Sequence, residues 1–282
     1  MSKTLFECTH QLARALGVTA EGVATGGSAT QIADTVERLE ADDHWNGGTA
    51  WILYDSAGLG AAPQGEYSFI SDFAQTGGVV TLRSTLTATV GSGDRYAIAG
   101  VRYPLQLLIQ KINETFGVIE KTDITSVAIV AGQTEYSLPA NVVDLKQVFI
   151  QTNNDSNDNK WDKVYDWEVE KSVTGTANKL IFKRQFAVTD VKLVYLTYHD
   201  VLRVATDKLD DSIHINKVVW NAAVGCLLWR KLKVGESDPS IDQSLNYFQA
   251  LAQQVNNEHA MSLPKKSAKV FRFTFPNRRT FP

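Results

Sequence analysis

The sequence predicts an α+β protein: a helical bundle core, two inserted and mainly antiparallel β modules, and an extended C-terminal arm. Three observations lead there. Four separated segments, 3–16, 102–117, 212–233 and 238–258, place apolar residues at helical spacing. The stretches between them are short runs of β-branched and aromatic residues broken by Gly-rich turns. The last eighteen residues, KKSAKVFRFTFPNRRTFP, hold six Lys and Arg, four Phe and two Pro, with no acid and no helical period. The expected division is a first core helix in 1–17, a β module in 18–100 and a second core helix in 101–118. A second β region in 119–211, a helix pair in 212–260 and the arm in 261–282 complete it.

Each element has its own signal. In the first helix Leu5, Phe6, Thr9, Leu12, Ala13 and Leu16 share one face, and Gly17 is a stop. The region from about 22 to 100 contains TAWILYD (49–55), EYSFISDF (66–73) and GVVTLR (78–83), separated by NGG, SAGLG, TGG and GSGD. Short strands with such turns suggest a small barrel or sandwich. VRYPLQLLIQKINETFG (101–117) aligns Leu105, Leu108, Ile109, Ile112 and Phe116, with Pro104 suited to a first turn and Gly117 closing. SVAIVAG, EYSLP, VVDLKQVFIQT, NKLIFKR and VKLVYLTYH read as strands, and NNDSNDN (153–159) as an exposed loop tip. The helix over 212–235 carries one stripe of Ile215, Val219, Ala222, Cys226 and Trp229 and a second of Val218, Leu228 and Leu232. A helix apolar on nearly every side is expected to be buried on all sides, between layers or between subunits. Asp238 and Pro239 start the last helix, whose single stripe is Ile241, Leu245, Phe248, Ala252 and Val255.

Composition narrows the function. A length of 282 residues suits one large domain or two ordinary ones. The net charge is -3 and the arm alone carries +6, so the remainder sums to -9. An acidic body with a basic tail is the asymmetry of a tail that docks, and it argues against a general nucleic-acid binder. Cys8 and Cys226 lie on apolar helical stripes and read as reduced, unrelated core thiols without metal-ligand spacing. MSKTLFECTHQLARALG is neither a signal peptide nor a membrane span, so folding in a reducing cytoplasm is expected.

A search for catalytic chemistry finds no catalytic, cofactor-binding or metal-ligating set. His10, His44, His199, His214 and His259 form no HxxxH or HxH arrangement and read as surface or capping residues. GLGAAPQG (58–65) lacks a phosphate-loop spacing. The acids of ADTVERLEADD, namely Asp34, Glu37, Glu40, Asp42 and Asp43, read as a solvated face rather than a metal or acid–base site. KWDKVYDWEVEK, with Trp161 and Trp167, reads as a β-hairpin with one aromatic face, the alternative being a carbohydrate or partner surface.

The stretch EYSLPANVVDLKQVFI (135–150), the strands after it, and the helix pair INKVVWNAAVGCLLWRKLK … SLNYFQALAQQV resemble the head-to-tail adaptor proteins of tailed bacteriophages. These are the connector, neck or tail tubular proteins. The order is similar: an early helix, a β insertion, a late helix pair and a C-terminal tail. GGSATQIADT (26–35) and the strands up to about 99 resemble β domains of phage virion proteins, although the β insertion before the second helix is longer than in many adaptors. The resemblance implies a non-catalytic virion protein made in the host cytoplasm. It would form a ring of about twelve subunits between the portal and a downstream tail or nozzle protein. DNA would pass through the lumen without sequence-specific binding, and no membrane and no cofactor would be involved.

The arm then acquires a role. Lys265, Lys266, Lys269, Arg272, Arg278 and Arg279 supply charge, and Phe271, Phe273, Phe275 and Phe281 supply apolar anchors. The alternation at 271, 273 and 275 suits strand addition to a sheet edge, with backbone hydrogen bonds for affinity and Phe pockets for specificity. Two other functions stand beside the adaptor. One is a receptor- or carbohydrate-binding virion module centred on Trp161 and Trp167. The other is a hydrolase assembled from acids such as Asp42, Asp43 and Glu66.

Overall fold

The computed structural model describes residues 3–124, 127–153, 160–171, 178–187, 189–233 and 239–259. They form two compact units, one from residues up to Gly117 and from His199 onward, the other from Val118–Tyr198.

The first unit opens with helix α1 (Leu5–Ala15), started by a capping box in which Thr4 and Glu7 satisfy each other's backbone amides. Gly17, at φ 67°, lets the chain turn out of it. Seven strands follow: β1 (Thr19–Val23), β2 (Gly26–Ser28), β3 (Gln31–Ala33), β4 (Thr49–Tyr54), β5 (Tyr67–Ala74), β6 (Val79–Leu82) and β7 (Arg95–Ala99). They pair antiparallel in the order β1-β7-β4-β5-β6-β3-β2. Because β1 ends at Val23 and β2 begins at Gly26, both ends of that order are one bent stretch of chain, and the sheet closes as a small barrel. Ile32, Ile52, Ile70, Phe73, Val80, Tyr96 and Ile98 fill its interior.

Strand alternation then decides what the outside does. On β4 and β7, Ile52, Tyr96 and Ile98 point into the barrel, while Trp51, Ala97 and Ala99 join a second core with the helices. That core holds Leu5 and Leu12 of α1, Leu108 and Ile112 of α2 (Leu105–Glu114), and Val218, Val219, Ala222 and Cys226 of α3 (Ile215–Lys233). Helix α4 (Pro239–Glu258) adds Ile241, Leu245 and Phe248. The Trp51 indole N–H donates to Thr9 Oγ1 at 3.2 Å, tying barrel to helix.

This overturns the expected helical bundle core carrying two inserted β modules. Among the described residues there are fourteen strands in three antiparallel sheets and four helices, so the chain is mainly β. The reason is physical. The helices pack on one another, α1 and α2 against α3 and α3 against α4, but the core they share also takes in Trp51, Ala97 and Ala99 from the barrel wall, so the barrel lines part of that core and is not an insert.

The second unit contains β8 (Val118–Asp123), β9 (Glu135–Ser137), β10 (Asp144–Asn153), β11 (Lys160–Val164), β12 (Trp167–Glu170), β13 (Lys179–Phe182) and β14 (Val191–Tyr198). They make two antiparallel sheets, β11-β10-β14-β8 and β12-β13-β9. Val148, Val164, Leu193 and Tyr195 from the first sheet meet Tyr136, Leu180 and Phe182 from the second. Two readings change here. The KWDKVYDWEVEK stretch is not a hairpin, because β11 pairs with β10 and β12 pairs with β13. Within SVAIVAG the described residues give one isolated bridge, Ala128 to Asp190, with Val127 and Ile129 buried. Residues 154–159 of the NNDSNDN loop lie outside the described residues.

Candidate functional site

The residues expected to bind partners, Lys265, Lys266, Lys269, Phe271, Arg272, Phe273, Phe275, Arg278, Arg279 and Phe281, all lie outside the described residues.

Helix α3 carries exposed apolar side chains. The expectation that this helix is buried on all sides is corrected. Val218, Val219, Ala222, Ala223, Cys226 and Leu227 are buried, while Trp220, Val224 and Trp229 are half-buried. Leu228 is 37% exposed and Leu232 80% exposed. Val224 packs against the helical core, while Leu228 and Leu232, four residues apart on one side of the helix, are exposed among the described residues. Toward α4, Trp220 packs in a tilted pair with Phe248 at a centroid distance of 5.8 Å, and Lys231 pairs with Asp242 at 2.5 Å. On α4, Ile241, Leu245, Phe248, Ala252 and Val255 are the buried residues, as their spacing predicts. Asp238, the expected cap, lies outside the described residues. The two thiols of this core, Cys8 and Cys226, are free and buried, and burial pushes each thiol up to about 12.

In the second unit the outer face of β11-β10-β14 combines aromatic rings and cations. The Lys192 ammonium lies 4.7 Å above the Phe149 ring and 4.9 Å above the Trp161 ring, and Lys163 lies 5.7 Å above Tyr165. Trp161 is therefore capped by a lysine. Trp167 belongs to the other sheet, packs at the edge of the core and donates its indole N–H to the Val164 carbonyl at 3.1 Å. The two tryptophans considered as one sugar platform thus belong to different sheets.

The acid cluster resolves into structural roles. Asp34 is fully buried inside the barrel, which corrects its assignment to a solvated face. Its Oδ2 accepts the Tyr96 hydroxyl at 2.6 Å and its Oδ1 accepts the amides of Val36 and Glu37 at 3.0 and 2.9 Å. Burial pushes the Asp34 carboxyl up, but the Tyr96 and amide hydrogen bonds with the nearby Arg38 charge outweigh it, and the group sits below the ordinary carboxylate range. Burial and the Asp34 contact raise Tyr96 in turn. Gly22 lies over this pair, where a Cβ would come 2.7 Å from both Asp34 Oδ2 and Tyr96 Oη. The three acids weighed for hydrolysis tie loops: Asp42 accepts the Gln75 amide, Asp43 the Asn46 side-chain amide, and Glu66 the Thr87 amide and hydroxyl.

One histidine departs from its reading. His10, expected at the surface or as a cap, is partly buried beside Phe6 and Trp51, with ring centroids 6.4 and 6.1 Å away. Its sequence neighbourhood gave no sign of this, because Trp51 is far along the chain. Among the described residues no group of three or more His, Cys, Asp and Glu is placed to hold a metal ion, and no helix is long and apolar enough to cross a membrane. No protein-family model matches this chain, and no curated protein matches it.

Proposed function

We propose that this chain is a structural, non-catalytic virion protein. It acts as a head-to-tail adaptor whose copies form a ring of about twelve between a phage portal and a tail or nozzle protein, with DNA passing through the lumen. The resemblance of the strand and helix-pair segments to adaptor proteins supports this reading. The observation that carries it is the exposed pair Leu228 and Leu232 on one side of α3, apolar side chains left uncovered among the described residues. Side chains of that kind on an otherwise well-covered helix suit the side of a neighbouring copy. The receptor- or carbohydrate-binding alternative draws no support from Trp161 and Trp167, one capped by Lys192 and the other packed at a core edge.

Mass measurement and electron microscopy of the purified protein, alone and with a portal, test the proposal. The wild-type chain is expected as a ring in at least the portal sample. Leu228→Asp with Leu232→Asp should leave a folded monomer, since neither residue is part of the buried core. A monomer that never joins a portal, or a double variant that assembles like wild type, would overturn it.

A further inference from the structure

We propose that the outer edge of β12 is the docking site for residues 269–275 of a neighbouring copy, added as a fourth strand to the β12-β13-β9 sheet. The proposal rests on the assembly reading above and names the contact that assembly would use. Among the described residues β12 is the terminal strand of its sheet, so one side of its backbone has no partner strand. Its four residues alternate in chemistry. Trp167 and Val169 are half-buried and pack at the edge of the second unit's core, while Glu168 and Glu170 face solvent.

The C-terminal stretch KVFRFTF has the complementary alternation: Phe271, Phe273 and Phe275 on one side, Val270, Arg272 and Thr274 on the other. Laid beside β12 in register, the Phe row continues the Trp167 and Val169 row and closes the core's rim. Arg272 then lies beside Glu168 and Glu170. A slip of one residue would turn every Phe to solvent and Arg272 inward, so side-chain chemistry fixes the register. Lys183 already pairs with Glu168 at 2.5 Å, but both side chains are about half exposed or more, a weak pair that leaves Glu168 open to a second cation.

The other open edges of the second unit fit less well. Edge β11 presents Lys160 and Lys163 against a single acid, Asp162, a poorer match for a basic strand than the two glutamates of β12. Edge β8 puts Lys121 and Asp123 on the side where Ile119 is buried, so it has no apolar row for Phe. Edge β9 has three residues, one of them the buried Tyr136. Ten residues from His259, the last one described, reach Lys269 and span at most ~35 Å.

The test uses full-length protein carrying one cysteine on the edge and one on the arm. Glu170→Cys is combined in turn with Val270→Cys and Thr274→Cys, the positions flanking Arg272. Ser137→Cys on β9, also exposed, replaces Glu170→Cys as the control edge. Cys8 and Cys226 stay silent because both are buried. Mild oxidation should link the β12 pairs into disulfide-joined multimers at several-fold higher yield than the β9 pairs. Changing Phe271, Phe273 and Phe275 to Ser should remove that difference. Equal yields from the two edges, links confined to single chains, or no links at all would overturn the proposal. The native mass of the same samples under reducing conditions separates the two failures: rings without β12 links sink the docking site alone, and no rings sink both.

Discussion

His10 shows how much one side chain depends on where it is packed. Burial beside Phe6 and Trp51 pushes its pKa down, the Glu21 carboxylate 3.8 Å from Nε2 pulls it up, and the Arg14 charge pushes it down again, for a net lowering. The unfolded chain therefore binds a proton on this ring more readily than the folded one. Stability from His10 is complete above the ordinary imidazole value of about 6.5 and is lost as pH falls through the lower folded value. The denaturation midpoint is expected to fall between pH 7.5 and pH 5.5, above the range where the carboxylates titrate. His10→Gln should flatten that slope, and an unchanged slope in the variant would assign the effect elsewhere. Asp34 is the opposite case, a carboxylate kept charged inside the barrel by the Tyr96 hydroxyl and two amides. Neither residue was legible as buried in the sequence. His10 lies next to Thr9 on a helix face with no record of Trp51, and Asp34 looks like its solvated neighbours because Tyr96, its partner, is 62 positions away.

At the scale of elements, the joint between barrel and helices is the most consequential packing feature. Trp51 is fully buried, touches the helical core and donates to Thr9. Trp51→Ala should cost about 3–5 kcal/mol in chemical denaturation, as expected for a large buried ring removed without collapse of the site. It should also speed labelling of Cys8 and Cys226, whose thiols share that core. A loss under about 1 kcal/mol would mean the helices hold without the barrel wall. The helices themselves were legible because a period of 3.6 leaves a stripe that no other element produces, and α4 buries the five residues its spacing selects. Strands β4, β5 and β6 were legible as apolar runs between glycine turns. Strand β8 was not, since VIEKTD buries Ile119 alone. The α3 helix was read as buried on all sides because sequence records apolarity but not which stripe the chain itself covers.

For the molecule as a whole, the two β regions are not equivalent. The first shares the core of the helices, whereas Val118–Tyr198 is a continuous stretch with sheets and a core of its own. Replacing 118–198 by a short Gly/Ser linker should leave the barrel–helix unit folded and cooperative, since closing a short loop there costs little. Replacing 22–100 in the same way should leave an aggregating chain. Circular dichroism melts of the two deletion variants decide it, and a cooperative melt from the second would restore the bundle reading. Sequence alone suggested two like insertions because both are strands between helices; which of them backs the helices depends on Trp51, Ala97 and Ala99 facing outward from the barrel. The junction supplies the reason the linker should be short: Phe116, one residue short of the end of the first segment, and His199, where the first unit resumes, stack with centroids 4.2 Å apart. Recombination between genes could therefore exchange everything between those two rings and leave the first unit with the same pair of chain ends to join. A change of length or sequence within 118–198 is therefore expected to leave the first unit's interior intact, whereas one in the barrel wall reaches the helices directly.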